Sequence, residues 1–392
     1  MPKALRTARR THSFSESVIR EMTRVAREHD AVNLAQGFPD FPAPELLKEA
    51  ACRAIRDDVN QYAITWGTTS MRDALVRKYR TWYGMEVDGA TEITVTCGAT
   101  EAMAAVMLAL VDPGEEVIVL EPFYENYGPD AVLCDARPVF LPLEAPDFRL
   151  DPDRLRSLVT ERTRAIVLNT PNNPTGRVFD REELEAVADL CRTHDLLAIT
   201  DEIYEHILYE GTHHCLATFD GMRERTVVVS GVSKTFSVAG WRVGTIIAPA
   251  ELTGAIRKVH DFLTVGAPAP LQEACAAGMD RLERSYYTSM ADEYRERREV
   301  LVPALQDAGF RCAAPEGAYY VLADFSDISA GEDDTTFAKR LTAEGGVASV
   351  PGSSFFSVKE RGRSLIRFAF CKRVETLHEA ADRLRAFTGR GG

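Results

Sequence analysis

The sequence predicts an α/β protein: a mostly parallel sheet flanked by helices, followed by a smaller α+β unit. Three observations carry this. Short apolar runs at Glu116–Leu120, Ala165–Asn169, Leu196–Thr200 and Thr226–Ser230 have the length and continuity of strands buried on both faces. Helical segments such as 181–194 lie between several of them, the alternation of a parallel sheet with right-handed crossovers. After about residue 280 the texture changes to a long charged helix and shorter strands.

Taken in order, residues 15–30 are polar with apolar positions Val18, Ile19, Met22 and Val25, a short helix. Asn33–Pro44 holds too many prolines for a helix or a central strand and reads as an extended crossing segment. Leu46–Asp57 and 70–83 are helical, Glu92–Cys97 is a strand, and Thr100–Val111 is a helix. Residues 279–308 read as one long charged helix, Tyr319–Asp324 and Leu365–Phe370 as strands, and 374–387 as a terminal helix. The expected division is 1–45 as an arm belonging partly to the small domain, 46–280 as a large domain, and 281–392 as the small domain.

Composition excludes several classes. With 392 residues, 45% hydrophobic and 27% charged, the chain has enough material for two domains and a sizeable core. Its net charge of -13 argues against a nucleic-acid surface but not against a local cationic pocket. No apolar run reaches membrane-spanning length. The eight cysteines are dispersed without a C-x-x-C pair, as expected of core thiols in a reducing cytoplasm. The first fifteen residues are basic and free of acids, which reads as a solvated arm and also fits a transit peptide. His206, His213, His214 and Cys215 lack recognised ligand spacing, so no metal is expected.

The most informative residue is Lys234, in Ser233-Lys234-Thr235-Phe236-Ser237-Val238-Ala239-Gly240-Trp241-Arg242-Val243-Gly244. A lysine among small residues can form a Schiff base with pyridoxal phosphate (PLP), while an arginine eight positions on holds the phosphate. It reads equally as a surface lysine when taken alone. Gly98-Ala99-Thr100 joins a strand to a helix, and a helix N-terminus offers amides to a phosphate; any tight turn would look similar. Asn169–Gly176 is either a plain turn or a shaped loop. Asp201 ends a buried strand, where it either caps a helix or meets a cation such as a protonated pyridine. Tyr204 stands within reach of a neighbouring ring oxygen. Arg367 interrupts the apolar strand Ile366–Phe370, so it requires an anion, whether a structural carboxylate or a substrate's.

These stretches occur together and in order. With Asn60-Gln61-Tyr62, Glu121–Tyr124 and Pro315–Tyr320, they resemble the class I/II aminotransferases of PLP fold type I. The likeness is strongest to the branch holding kynurenine and glutamine-phenylpyruvate aminotransferases. That resemblance implies a mostly parallel seven-stranded sheet, PLP as cofactor and a cytoplasmic homodimer with shared active sites. It implies Lys234 as the Schiff-base lysine and proton shuttle, Asp201 on the pyridinium nitrogen, Tyr204 and Asn173 on the phenolic oxygen, and Tyr124 on the ring face. Gly98, Ala99, Thr100, Ser233 and Arg242 would hold the phosphate, with Tyr62 reaching it from the partner subunit. Arg367 would grip the substrate α-carboxylate with Asn173 and the Gly37 backbone, and Ile19 would line the substrate pocket. The implied reaction is ping-pong transfer of an amino group from an L-amino acid to a 2-oxo acid.

Departures bear on the substrate. Gly231 stands where many relatives have a phosphate-binding serine, and Ile19, Thr100 and Val265-Gly266-Ala267 stand where kynurenine enzymes often place aromatics. A roomier, more aliphatic pocket for neutral or bulky side chains follows, with no second arginine to clamp a side-chain carboxylate. A PLP-dependent lyase, cyclase or β/γ-replacement enzyme on the same fold is the alternative. A PLP-sensing regulator would need a DNA-binding domain, for which the arm is too short.

Overall fold

In the computed structural model, residues 7–14 and 16–389 are described; the first six residues of the arm and Ser15 lie outside them. The chain begins with α1 (Val18–Glu28) and β1 (Val32–Asn33). Ser17 caps α1 by accepting the Arg20 amide, and Ile19, Met22 and Ala26 fall on its buried face. Next come α2 (Glu45–Arg56), α3 (Thr69–Tyr83), β2 (Ile93–Thr96), α4 (Ala99–Leu110), β3 (Glu116–Glu121), α5 (Tyr127–Leu133), β4 (Arg137–Pro142), α6 (Pro152–Ser157) and β5 (Thr163–Asn169). Then follow α7 (Arg181–His194), β6 (Leu197–Asp201), β7 (Thr226–Gly231), β8 (Gly244–Ile247), α8 (Ala250–Leu263) and α9 (Ala269–Arg281). The chain ends with α10 (Arg284–Asp307), β9 (Tyr320–Asp324), α11 (Asp334–Ala343), β10 (Val347–Ala348), β11 (Val350–Pro351), β12 (Leu365–Ala369) and α12 (Val374–Thr388).

Seven strands form one sheet in the order β2-β8-β7-β6-β5-β3-β4. β4, β3, β5, β6 and β7 pair in parallel, and β8 runs antiparallel to both its neighbours, β2 and β7. The apolar runs singled out from the sequence are its interior strands, and β3 and β7 are buried along their whole lengths. β4 and β8 escaped that pattern for physical reasons. β4 is an edge strand with prolines at 138 and 142 and only partial burial, and β8 is four residues long.

Helices cover both faces. α4 and α8 pack with Val117, Val119, Val227 and Val229 on one, and α7 covers Ile118, Ile166 and Ala198 on the other. The segment 279–308 is not one helix. Leu282 and Glu283 take extended backbone angles between α9 and α10, and Leu282 turns in against a core formed by α2, α3 and α9.

The short sheet β11-β12-β9 is antiparallel, and β1 pairs in parallel with β10, tying the N-terminal stretch to the C-terminal part. One core joins Ile19–Ala35, Met290–Leu384 and the turn residues Ile203–Tyr209. That last group matters because it lies just beyond β6.

Candidate active site

The parallel strands deliver their carboxyl ends to one edge of the sheet, where ligands of such sheets gather. β6 ends on Asp201, β5 on Asn169, β7 leads into Ser233 and Lys234, and β2 into Gly98. β8 enters this edge from the opposite direction, so Arg242, two residues before its start, arrives there too. Gly244 pairs with both Thr96 and Gly231; a Cβ on it would stand 2.3 Å from the Gly98 carbonyl carbon. Glycine there lets three strand ends converge.

They enclose a cavity of about 170 Å³ lined by Ile19, Gly37, Ala99, Thr100, Tyr124, Asn173, Asp201, Tyr204, Ser233, Lys234, Arg242 and Arg367. Twelve of the residues singled out from the sequence are thus brought together. Gly98 stands directly behind the lining: a Cβ on it would lie 2.2 Å from an Arg242 terminal nitrogen, so only glycine admits the guanidinium. Tyr62 is not brought in; it is 86% exposed on the surface. Val265-Gly266-Ala267 is likewise absent from the lining.

Lys234 Nζ donates to the Gly37 carbonyl at 3.1 Å and stands 5.8 Å from the Tyr319 ring centroid. Burial pushes its pKa down to about 8; Arg242 and Arg367 add repulsion, while Cys371 and Asp201 work against the fall. A lysine in that range holds a substantial share of neutral, nucleophilic amine near neutral pH. Asp201 is fully enclosed, which pushes its carboxyl above the ordinary range. The Tyr127 hydroxyl at 2.6 Å, the Ile203 amide and the charge of Lys234 oppose that rise. Tyr204 and Tyr320 share a hydrogen bond between hydroxyls at 3.0 Å, and burial raises both phenols.

Arg367 is fully buried. One terminal nitrogen donates to Asn173 Oδ1 at 2.9 Å, the other to the Ala35 carbonyl at 2.6 Å, and its Nε has no partner. The guanidinium lies 4.4 Å from the Tyr320 ring centroid and 5.1 Å from that of Phe355. Among the described residues no carboxylate pairs with it, so a buried cation facing a cavity is left for an anionic ligand. Arg242, which is exposed at the cavity mouth, also has no carboxylate among the described residues and donates to the carbonyls of Ala239 and Cys97. It sits beside Ser233 and the first amides of α4, a suitable cradle for a phosphate.

Gly37 is fixed by three neighbours. Its carbonyl accepts from Lys234 and from Tyr319 Oη at 3.0 Å, and a Cβ on it would overlap the Tyr320 hydroxyl at 2.0 Å. Asn173 is set by its own loop, where its amide donates to Asn169 Oδ1 at 2.7 Å and the Asn169 side chain donates to the Asp201 carbonyl at 2.8 Å. The sequence reading missed Gln36, Met103, Asn126, Tyr127, Asn169, Ile203, Ala239 and Tyr320 as lining residues. Tyr320 and Asn169 stood inside motifs already singled out, but Tyr127 carried no signal that separates it from a core tyrosine.

A half-buried lysine, a buried acid and an arginine without a carboxylate partner share one cavity, an arrangement compatible with a PLP site. Comparison with known proteins agrees. The chain belongs to the aminotransferase class I and II family, whose model matches residues 29–384. It is 40% identical to the probable N-succinyldiaminopimelate aminotransferase DapC of Mycobacterium tuberculosis, over 98% of this chain and 99% of that protein. It is 39% identical to the methionine aminotransferase of Escherichia coli, over 94% and 95%. The solved Mycobacterium tuberculosis enzyme superposes with a TM-score of 0.94 at 40% identity, covering 97% of this chain and 100% of that one. The protein is a PLP-dependent enzyme that transfers amino groups, and elimination, ring closure or replacement is not favoured. The residues present fit that cofactor: among the described residues, two arginines have no carboxylate partner, a glycine stands under Arg242, and a buried acid has no cation bonded to it.

Proposed function

We propose that the protein moves the amino group of an L-amino acid with a neutral or bulky side chain to a 2-oxo acid by a ping-pong mechanism. The observation that carries this reading is Arg367, buried and without a carboxylate, across the same cavity from Lys234 and Asp201. PLP, when bound, supplies an aldehyde for the amine and an electron-accepting ring that makes the substrate's α-proton removable.

The chain's own groups do the rest. Asp201 would stand as a carboxylate counter-charge to the protonated ring nitrogen, Tyr204 and Asn173 would face the ring's phenolic oxygen, and Tyr124 would lie on its face. Thr100, Ser233, Arg242 and the amides of Gly98 and Ala99 would hold the phosphate. The planar fork of Arg367, braced by Asn173, takes the α-carboxylate, and the Gly37 backbone and Ile19 border the rest of the substrate. Lys234, as a neutral amine in this cavity, would take the proton from the substrate α-carbon and return it one atom further along.

The lining holds three cations, Lys234, Arg242 and Arg367. Each is assigned, and none is left for a side-chain carboxylate, which supports neutral side chains. The relatives' own substrates, N-succinyldiaminopimelate and methionine among them, differ too much to fix the choice. We further propose a cytoplasmic homodimer with shared sites. In support, Tyr62, Ile64, Phe262, Leu263 and Val265 are exposed apolar residues, and His260 Nε2 bonds the Thr65 carbonyl at 2.8 Å, holding the two segments together. All eight cysteines are free, as in a reducing compartment. The division 1–45, 46–280 and 281–392 fits the shared core of the two chain ends.

The test is steady-state kinetics with a panel of L-amino acids and one 2-oxo acid. Parallel double-reciprocal lines, with neutral donors preferred over aspartate, are expected. Intersecting lines, or preference for aspartate, would overturn the reading.

A further inference from the structure

We propose that Tyr127 is a positioning residue for amino transfer: its hydroxyl holds Asp201 as a carboxylate, so that the proton shared between that acid and the cofactor's ring nitrogen rests on the ring. The inference depends on the assignment of Asp201 to the ring nitrogen and extends it by one residue.

The geometry is specific. Tyr127 opens α5, lines the cavity and is 3% exposed. Its hydroxyl donates to Asp201 Oδ2 at 2.6 Å, and the Ile203 amide donates to Oδ1 at 3.3 Å. Among the described residues these are the only hydrogen bonds to that carboxylate. The ring is held from the side by Tyr124, edge to face with centroids 5.9 Å apart, and by the apolar core under α4. A phenol fixed in this way cannot turn its hydroxyl elsewhere without breaking packing.

The chemistry follows from the surroundings. An acid enclosed as Asp201 is prefers to be neutral, and a neutral acid beside a pyridine leaves the ring without its proton. A donor on Oδ2 stabilises the anion more than the neutral acid. Burial and the neighbouring Asp201 keep the Tyr127 phenol itself protonated, so it remains a donor across the working pH range. Deleting it shifts the shared proton toward Asp201 by about ten- to hundredfold, the worth of one hydrogen bond to a charged group.

The experiment is the 15N resonance of holoenzyme loaded with PLP labelled at the ring nitrogen, recorded for wild type, Tyr127→Phe, Asp201→Asn and Tyr79→Phe. Tyr79 is the control because its buried hydroxyl has no partner. PLP release is followed on the same samples, and thermal melting checks the fold. The expected result is a ring-nitrogen resonance moved toward the unprotonated position in Tyr127→Phe, further in Asp201→Asn, and not at all in Tyr79→Phe. PLP release should be faster in the first two. If Asp201→Asn moves the resonance and Tyr127→Phe does not, the role of Tyr127 is overturned while Asp201 keeps its own. An unmoved resonance in Asp201→Asn overturns the assignment beneath it. Equal shifts in Tyr127→Phe and Tyr79→Phe would reduce Tyr127 to a packing role.

Discussion

The proposed role of Lys234 rests on its surroundings: burial strips its ammonium of water and pushes it down to about 8. The neutral amine is the form that attacks an aldehyde, and its share grows as pH rises through that value. Uptake of PLP by the apoprotein is therefore expected to accelerate through about pH 8 and then level off; a rise continuing toward 10.5, the ordinary lysine value, would contradict it. Arg367 offers a planar fork to one carboxylate, which a lysine cannot reproduce. Arg367→Lys is expected to raise the amino-acid KM by about tenfold or more with a smaller change in kcat; steady-state kinetics decides. Asp201 and Arg367, which the structure brings into one cavity with Lys234, stood out in the sequence as charges among apolar neighbours, and Lys234 stood out by its small neighbours and the arginine eight positions on. Tyr127 and Tyr320 were not, since a buried tyrosine looks the same in a motif as in a core. Tyr62 could be named only by resemblance, because its own chain leaves it on the surface.

At the scale of elements, the interior strands were readable from apolar continuity, whereas β4 and β8 were hidden by prolines and by shortness. The break at Leu282–Glu283 was hidden because neither residue is a helix breaker; packing of Leu282 ends the helix, not its propensity. Two elements carry testable energetics. α7 starts with a capping box, Asp180 accepting the Glu183 amide at 2.9 Å and Glu183 accepting the Asp180 amide at 3.0 Å. Asp180→Ala should cost about 1 kcal/mol in denaturant unfolding. α5 buries Asp130, whose Oδ2 has no partner, and burial pushes its carboxyl up to about 7. The folded protein then keeps a proton that the unfolded chain loses near 3.8, so stability falls as pH rises from there to about 7 and the full penalty remains above. Asp130→Asn should therefore be more stable than wild type at pH 8, by about 1–4 kcal/mol, with a much smaller gain near pH 4. Equal gains at both pH values would show that Asp130 is charged in the fold throughout.

For the molecule as a whole, the fold places a cationic pocket at the strand ends of a chain whose net charge is -13, and this local sign reversal draws anionic cofactor and substrate to one place. The apolar surface around Phe262, which is 94% exposed, extends to Tyr62 on the adjoining loop. In the proposed dimer a partner copy would cover this surface. Phe262→Glu is expected to yield a monomer by sedimentation velocity, with weaker PLP retention; a dimer of unchanged affinity would place the interface elsewhere. The seven-stranded sheet followed from the resemblance more than from the individual runs, because only five of its strands announced themselves locally.

The most direct test of Lys234 as the residue through which PLP and amino transfer meet is the visible absorption of the holoenzyme during half-reactions. Adding a neutral L-amino acid alone should bleach the cofactor band, release one 2-oxo acid per site and no ammonia, and a different 2-oxo acid should restore the band. The Lys234→Ala protein should lack that band and the cycle. A band that persists while ammonia is released, or an unchanged cycle in Lys234→Ala, would contradict the account.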